Sequence, residues 1–115
     1  MAARERLICS SAELVDSGDG VRFEIEHRGE RLPAFAVRFD GRVHAYLNRC
    51  VHMATELDWK PGRFFDAEGL LLVCSTHGAV YAPDSGECLA GPCGGTLQRL
   101  PVAEREGGVY LTEKE

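Results

Sequence analysis

Cys50-Val51-His52 and Cys74-Ser75-Thr76-His77 each set a thiolate donor beside an imidazole donor, and nothing else in the sequence restricts the fold so tightly. Met53 to Val73 separates the two motifs, so two different loops must converge before four such side chains can share one metal centre. The surrounding stretch has the composition of irregular backbone. Gly62, Gly69, Gly78, Gly86, Gly91, Gly94 and Gly95 fall between Asn48 and Thr96, as do Pro61, Pro83 and Pro92. So much irregular chain inside a compact domain needs something to hold it, and a bound metal centre does so.

Outside that stretch the pattern is that of short strands. Val21 to His27 alternates Val21, Phe23 and Ile25 with Arg22, Glu24 and Glu26, the period of a half-buried strand. Arg28-Gly29-Glu30 reads as a turn, and Pro33 to Asp40 alternates again through Phe35, Val37 and Phe39. Asp40-Gly41 is a hairpin signal, with Arg42 to Asn48 as the returning strand. Leu70 to Val73, Leu97 to Val102 and Val109 to Thr112 are further strands, the last two parted by a Gly107-Gly108 turn. Only Ser10-Ser11-Ala12-Glu13 announces a helix, by its capping-box form, and predicts a short one through about Leu14 to Asp16, ended by Ser17-Gly18-Asp19-Gly20. The fold class is all-β. At 115 residues the chain fits one domain, residues 1–115, and 44% hydrophobic residues give it a modest core. A small core of that kind gains from a metal staple.

The mixed C-x-H and C-x-x-H spacing resembles the cluster-binding signature of Rieske proteins, in which two cysteines bind one iron of a [2Fe–2S] cluster and two histidines the other. His77-Gly78-Ala79-Val80-Tyr81-Ala82-Pro83, followed by Ser85-Gly86-Glu87, is similar to the strand and turn that leave the second Rieske loop. Gly91-Pro92 matches the proline loop that covers the cluster. The likeness spans nearly the whole chain and is thinnest over the first thirty residues. It implies an antiparallel β sandwich or barrel with a small cluster-binding subdomain at about Asn48 to Thr96. It also implies Cys50 and Cys74 as ligands of an inner ferric iron, and His52 and His77 as ligands of an outer iron that changes oxidation state. Neutral imidazoles leave such a cluster less negative than four thiolates would, which raises its potential.

The same resemblance implies a soluble one-electron carrier of the Rieske ferredoxin kind, without a substrate of its own. It would pass electrons from a reductase to an oxygenase or another acceptor. Ala79 stands where high-potential members carry a serine donor, while Tyr81 keeps the position of a tyrosine that donates to a cysteine sulfur. Loss of a donor predicts a potential in the lower part of the roughly −150 to +300 mV span of Rieske centres. Titration of the ligand histidines predicts a potential that falls as pH rises. The loops lack the extra cysteine pair, and hence the disulfide, of respiratory and photosynthetic Rieske subunits. The gap between the motifs is also longer than the common form, with Lys60-Pro61-Gly62-Arg63-Phe64-Phe65 in an enlarged excursion. Trp59, Phe64 and Phe65 are expected to pack that loop.

Other readings compete. Two cysteines and two histidines also suit zinc, although zinc sites more often pair like ligands as C-x₂₋₄-C and H-x₃₋₅-H. A redox sensor and an accessory subunit of a larger oxidoreductase are the remaining alternatives. A complete Rieske oxygenase is not expected at this length, since a 2-His-1-carboxylate iron site needs a further domain. Of the remaining chemistry-bearing residues, Cys88 and Cys93 are expected as buried or loop-packing thiols, with a disulfide or redox switch as the alternative, Cys9 as a buried small hydrophobe, and His27 and His44 as surface residues. A formal charge of −5 argues against nucleic acid and fits solubility or a basic partner face. No stretch approaches the ~20 apolar residues of a membrane helix. Met1 to Arg6 lacks a signal-peptide core, so a cytoplasmic location with reduced cysteines is expected.

Overall fold

Strand alternation places successive side chains on opposite faces, and in the centre of this protein both faces are buried. The computed structural model describes residues 3–27, 29–48, 57, 62–66, 68–74, 78–91 and 96–114, without the side chains of residues 3, 4, 27, 113 and 114. Strands β1 (Ala3–Ser10), β2 (Val21–His27), β3 (Glu30–Phe39), β4 (Arg42–Leu47) and β5 (Leu72–Val73) are followed by β6 (Val80–Tyr81), β7 (Cys88–Ala90), β8 (Arg99–Leu100), β9 (Val102–Arg105) and β10 (Gly108–Lys114). They form a sheet in the order β2-β3-β4-β8, a second in the order β1-β10-β9 and a small third in the order β5-β6-β7. Every strand pair is antiparallel, as the all-β reading requires.

β3 and β4 join through Asp40-Gly41, where φ values of 53° and 79° supply the two left-handed residues of a type I′ turn. One face of this hairpin, Ala34, Ala36, Ala45 and Leu47, packs with Cys9, Leu14, Val109 and Leu111 against the β1-β10-β9 sheet. The other face, Phe35, Val37 and Tyr46, packs with Leu57, Phe64, Leu72, Cys74, Ala79, Tyr81 and Leu97. Small side chains serve the sheet-on-sheet face, and aromatic ones reach the irregular segments. Phe35 stacks on Phe64 with ring centroids 3.9 Å apart, and Phe39 on Phe65 at 6.1 Å, which bears out the packing role of that pair. Trp59 lies outside the described residues.

Arg38 fastens the sandwich at one end. Its guanidinium grips Glu104 of β9 through two bonds of 3.0 and 2.5 Å, while its Nε donates to the Leu14 carbonyl at 2.8 Å. The hydrogen bond holds the Glu104 carboxyl below its ordinary range and the Arg38 guanidinium above its own.

Several local expectations need correction. Residues 3–10 form a full strand paired with β10. The capping box does form, with Ser10 N–H donating to Glu13 at 2.7 Å. It opens only one 3₁₀ turn, Ser11–Glu13, because Leu14 then turns into the core and Asp16 bridges Arg38. Leu70 and Leu71 belong to a turn whose amides both reach Asp66, leaving β5 just two residues. Pro101, lacking an N–H, divides the stretch from Leu97 to Val102 between two sheets. His44 is no surface residue: it is buried on the Tyr46 side of β4. Cys9 is buried as expected, and burial pushes its thiol pKa up.

Because Glu104 binds its proton less readily when folded, the Arg38–Glu104 pair stabilises fully above about pH 4.5 and is lost as pH falls through the lowered value. Glu104→Gln should cost about 1 kcal/mol at pH 7 and flatten the acid limb of a thermal-unfolding profile. An unaltered acid limb would contradict this role.

Candidate metal centre

The core beneath Phe35 and Tyr46 continues into the segments that carry the candidate ligands. Asn48, at the end of β4, is buried, and its Oδ1 accepts from the Leu57 N–H at 2.8 Å. Its own N–H donates to the Pro33 carbonyl at 2.9 Å. This closes the mouth of the first loop, residues 49–56, which in sequence contains Cys50 and His52. The second loop is closed by Cys74 N–H to Ala79 C=O and Gly78 N–H to Cys74 C=O, both 2.8 Å. His77 lies between those closures in sequence. Leu57, Cys74, Ala79 and Tyr81 are all fully buried in one cluster, so both loops leave from and return to the same patch.

A third segment reaches that patch at Gly91, directly after β7. Its φ is 90°, and a Cβ there would stand 2.8 Å from Ala79 Cα and 2.9 Å from the Gly78 carbonyl. Only a glycine lets the backbone lie this close to the second loop. The next residues, which include Pro92, lie outside the described ones, as do Cys50, His52 and His77. Of the four candidate ligands the structure therefore describes Cys74, a fully buried thiol outside any disulfide. A buried thiol at the mouth of a glycine-bounded loop fits a metal centre, since burial keeps water from the metal and a thiolate there needs a cation. Ala79 and Tyr81 are fully buried in the same cluster.

Cys88 takes the disulfide alternative in place of the favoured thiol. It is disulfide-bonded and not a packing thiol, and since Cys9 and Cys74 are not its partners, the other half lies outside the described residues. Pro83 to Ser85 is a turn, closed by the Gly86 N–H donating to the Ala82 carbonyl at 2.8 Å. This turn rests on Tyr46, whose hydroxyl donates to the Pro83 carbonyl at 2.7 Å and whose pKa is pushed up to about 12, chiefly by burial. Gly86, at φ 77°, lies so near the Tyr46 ring that a Cβ would meet its Cε1 at 2.8 Å.

Asn48 and Tyr46 were invisible as site residues in the sequence. Their only signals were a polar residue ending an alternating strand directly before a C-x-H motif, and a tyrosine on that strand's inward face. Asn48→Ala strands the buried Leu57 N–H and should cost about 1–3 kcal/mol in urea unfolding. Val15→Ala, at a residue 65% exposed, should stay within about 0.5 kcal/mol. Equal effects would remove the special role of Asn48.

Comparison with known proteins fits this geometry. The profile of the Rieske [2Fe–2S] domain matches residues 5–101. The 3-phenylpropionate/cinnamic acid dioxygenase ferredoxin subunit of Photorhabdus laumondii is 27% identical over 114 residues, which is 94% of this chain and 93% of that one. The ferredoxin of carbazole 1,9a-dioxygenase from Nocardioides aromaticivorans IC177 shares the fold with a TM-score of 0.72 at 21% identity, over 96% of this chain and 98% of its own. A chain in the complex of reduced oxygenase and oxidized ferredoxin of carbazole 1,9a-dioxygenase gives 0.73 at 20% identity, over 96% and 95%. Both loops, the small sheet and Gly91 fall within the matched profile, and the chain belongs to the Rieske [2Fe–2S] domain family.

Proposed function

We propose that this protein is a ferredoxin-like one-electron carrier that catalyses no reaction on a substrate of its own. Cys50 and Cys74 hold one iron of a single [2Fe–2S] cluster, and His52 and His77 hold the other. The convergence of two loop mouths on one buried patch, Leu57, Cys74, Ala79 and Tyr81, supports this reading, because the two segments that open and close there carry the ligand motifs in sequence. The bound cluster takes up and returns a single electron. Cys74 would exclude water from the inner side, Ala79 would present a methyl where a hydroxyl would donate, and the buried Tyr81 would donate to a ligand sulfur.

The partners are a reductase and an oxygenase or other acceptor. The curated relative is a dioxygenase ferredoxin subunit, and one matched structure is of an oxygenase–ferredoxin complex. A charge of −5 suits a basic face on either partner. The chain works as one domain, residues 1–115, with the cluster lobe at about 48–96. Its place is the cytoplasm. Among the described residues no helix is long and apolar enough to cross a membrane.

The test is an EPR spectrum of the dithionite-reduced protein, with iron, sulfide and zinc assayed on the same sample. Paired iron and sulfide with a rhombic S = ½ signal, its average g below that of all-cysteine ferredoxins, is expected. A silent, colourless sample holding one zinc would overturn the reading. The midpoint potential should lie in the lower part of the roughly −150 to +300 mV span, and Ala79→Ser should raise it. A potential near the top of that span, or one that Ala79→Ser lowers, would contradict the role given to Ala79.

A further inference from the structure

His44 is a buried, titratable side chain for which electron carriage has no use. It is 6% exposed on β4, and its Nδ1 lies 3.1 Å from Nη2 of Arg99 on β8. A guanidinium only donates, so Nδ1 accepts and the ring is neutral with its proton on Nε2. Arg99 Nη1 donates in turn to the Asp84 carbonyl at 2.7 Å, and its guanidinium lies 6.0 Å from the centre of the Tyr46 ring. The Tyr46 hydroxyl holds the neighbouring carbonyl, that of Pro83. Two consecutive carbonyls of the turn between β6 and β7 are therefore held from the central sheet, one through β4 and one through β8. That turn leads back through Tyr81 to Ala79, whose carbonyl takes the Cys74 N–H.

We propose that His44 and Arg99 are positioning residues that tie the β5-β6-β7 lobe to the sandwich, and that a proton on His44 releases the tie. Protonated, the ring has no lone pair for Arg99 and sets a second positive charge against it. The charged groups facing it are Arg99 on β8, Arg42 on β4, Asp84 in the turn and Asp40 in the β3–β4 turn. Burial first, then Arg99, holds the imidazole below its ordinary pKa of 6.5, with Asp84 pulling the other way. In the released state the ring regains its ordinary value and binds more protons. The tie is therefore complete above pH 6.5, weakens as pH falls toward the lowered value, and levels off beneath it. Between those limits the released population rises by at most about tenfold per pH unit.

Amide hydrogen exchange on the cluster-loaded protein from pH 8 to 5.5, corrected for intrinsic chemistry, reads the tie at Gly86 and Leu97. The Gly86 N–H donates to Ala82 and the Leu97 N–H to Gly86. Their protection should fall below pH 6.5 while that of the β1–β10 pairs stays constant. His44→Asn keeps an acceptor at the Nδ1 position and cannot titrate, so its protection should be flat with pH. Arg99→Gln should show the released level throughout. A pH dependence that survives in His44→Asn, an equal loss of protection in β1–β10, or wild-type protection in Arg99→Gln at pH 7.5 would overturn the proposal. Should Arg99→Gln not fold, His44→Asn decides alone. None of these readouts depends on the electron-carrier role, so either reading can fail without the other.

Discussion

The β3–β4 hairpin has no solvent face over its central residues, and the rest of the molecule is arranged around that constraint. A strand buried on both sides must satisfy two different neighbours with one backbone. Even-numbered residues of β3 meet another sheet, where small side chains serve, and odd-numbered residues meet irregular chain, where large rings fill uneven space. A shift of one residue in register would exchange these two sets and leave alanines facing loops and phenylalanines facing a sheet. The type I′ turn at Asp40-Gly41 protects against such a slip. Arg38 then locks β3 to β9 and to the segment before β2.

What could be read from the sequence follows from this. Val21–His27 and the hairpin alternate cleanly, and Asp40-Gly41 fixes its own geometry, so β2, the turn and β4 were legible almost to the residue, while β3 begins at Glu30, three residues before the expected Pro33. β1 was not, since Arg4, Glu5 and Arg6 mask its alternation and its pairing with β10 joins opposite ends of the chain. The capping box at Ser10 was correctly legible as a cap, but local sequence cannot report that Leu14 is wanted in the core. His44 misled for a related reason. Its position on a strand is visible, whereas the Arg99 that makes its burial tolerable sits on β8, far away in sequence.

The candidate site shows the same division. The chemistry proposed for it, two thiols and two imidazoles in mixed pairs, is local in the sequence at Cys50, His52, Cys74 and His77. The means of holding it is not local. Asn48 reaches Leu57 across the first loop, Cys74 reaches Ala79 across the second, and Gly91 lies on the second from a third segment. These contacts are mostly backbone hydrogen bonds and close approaches, which leave little trace in residue identity beyond an occasional glycine. The disulfide at Cys88 was legible only as an alternative, because the expected reducing compartment favoured thiols.

The anchors at Leu57 and Phe64 bear on how this chain accommodates extra length. Both side chains are buried in the core that holds Cys74, and the enlarged excursion between the two motifs runs largely between them. Loop-closure entropy grows only with the logarithm of length, so residues inserted between two such fixed points cost little and move neither end. The separation of the two motifs in sequence is thereby uncoupled from their separation in space. Variation in that spacing among related chains would then record surface elaboration, with the geometry at Cys74 left untouched.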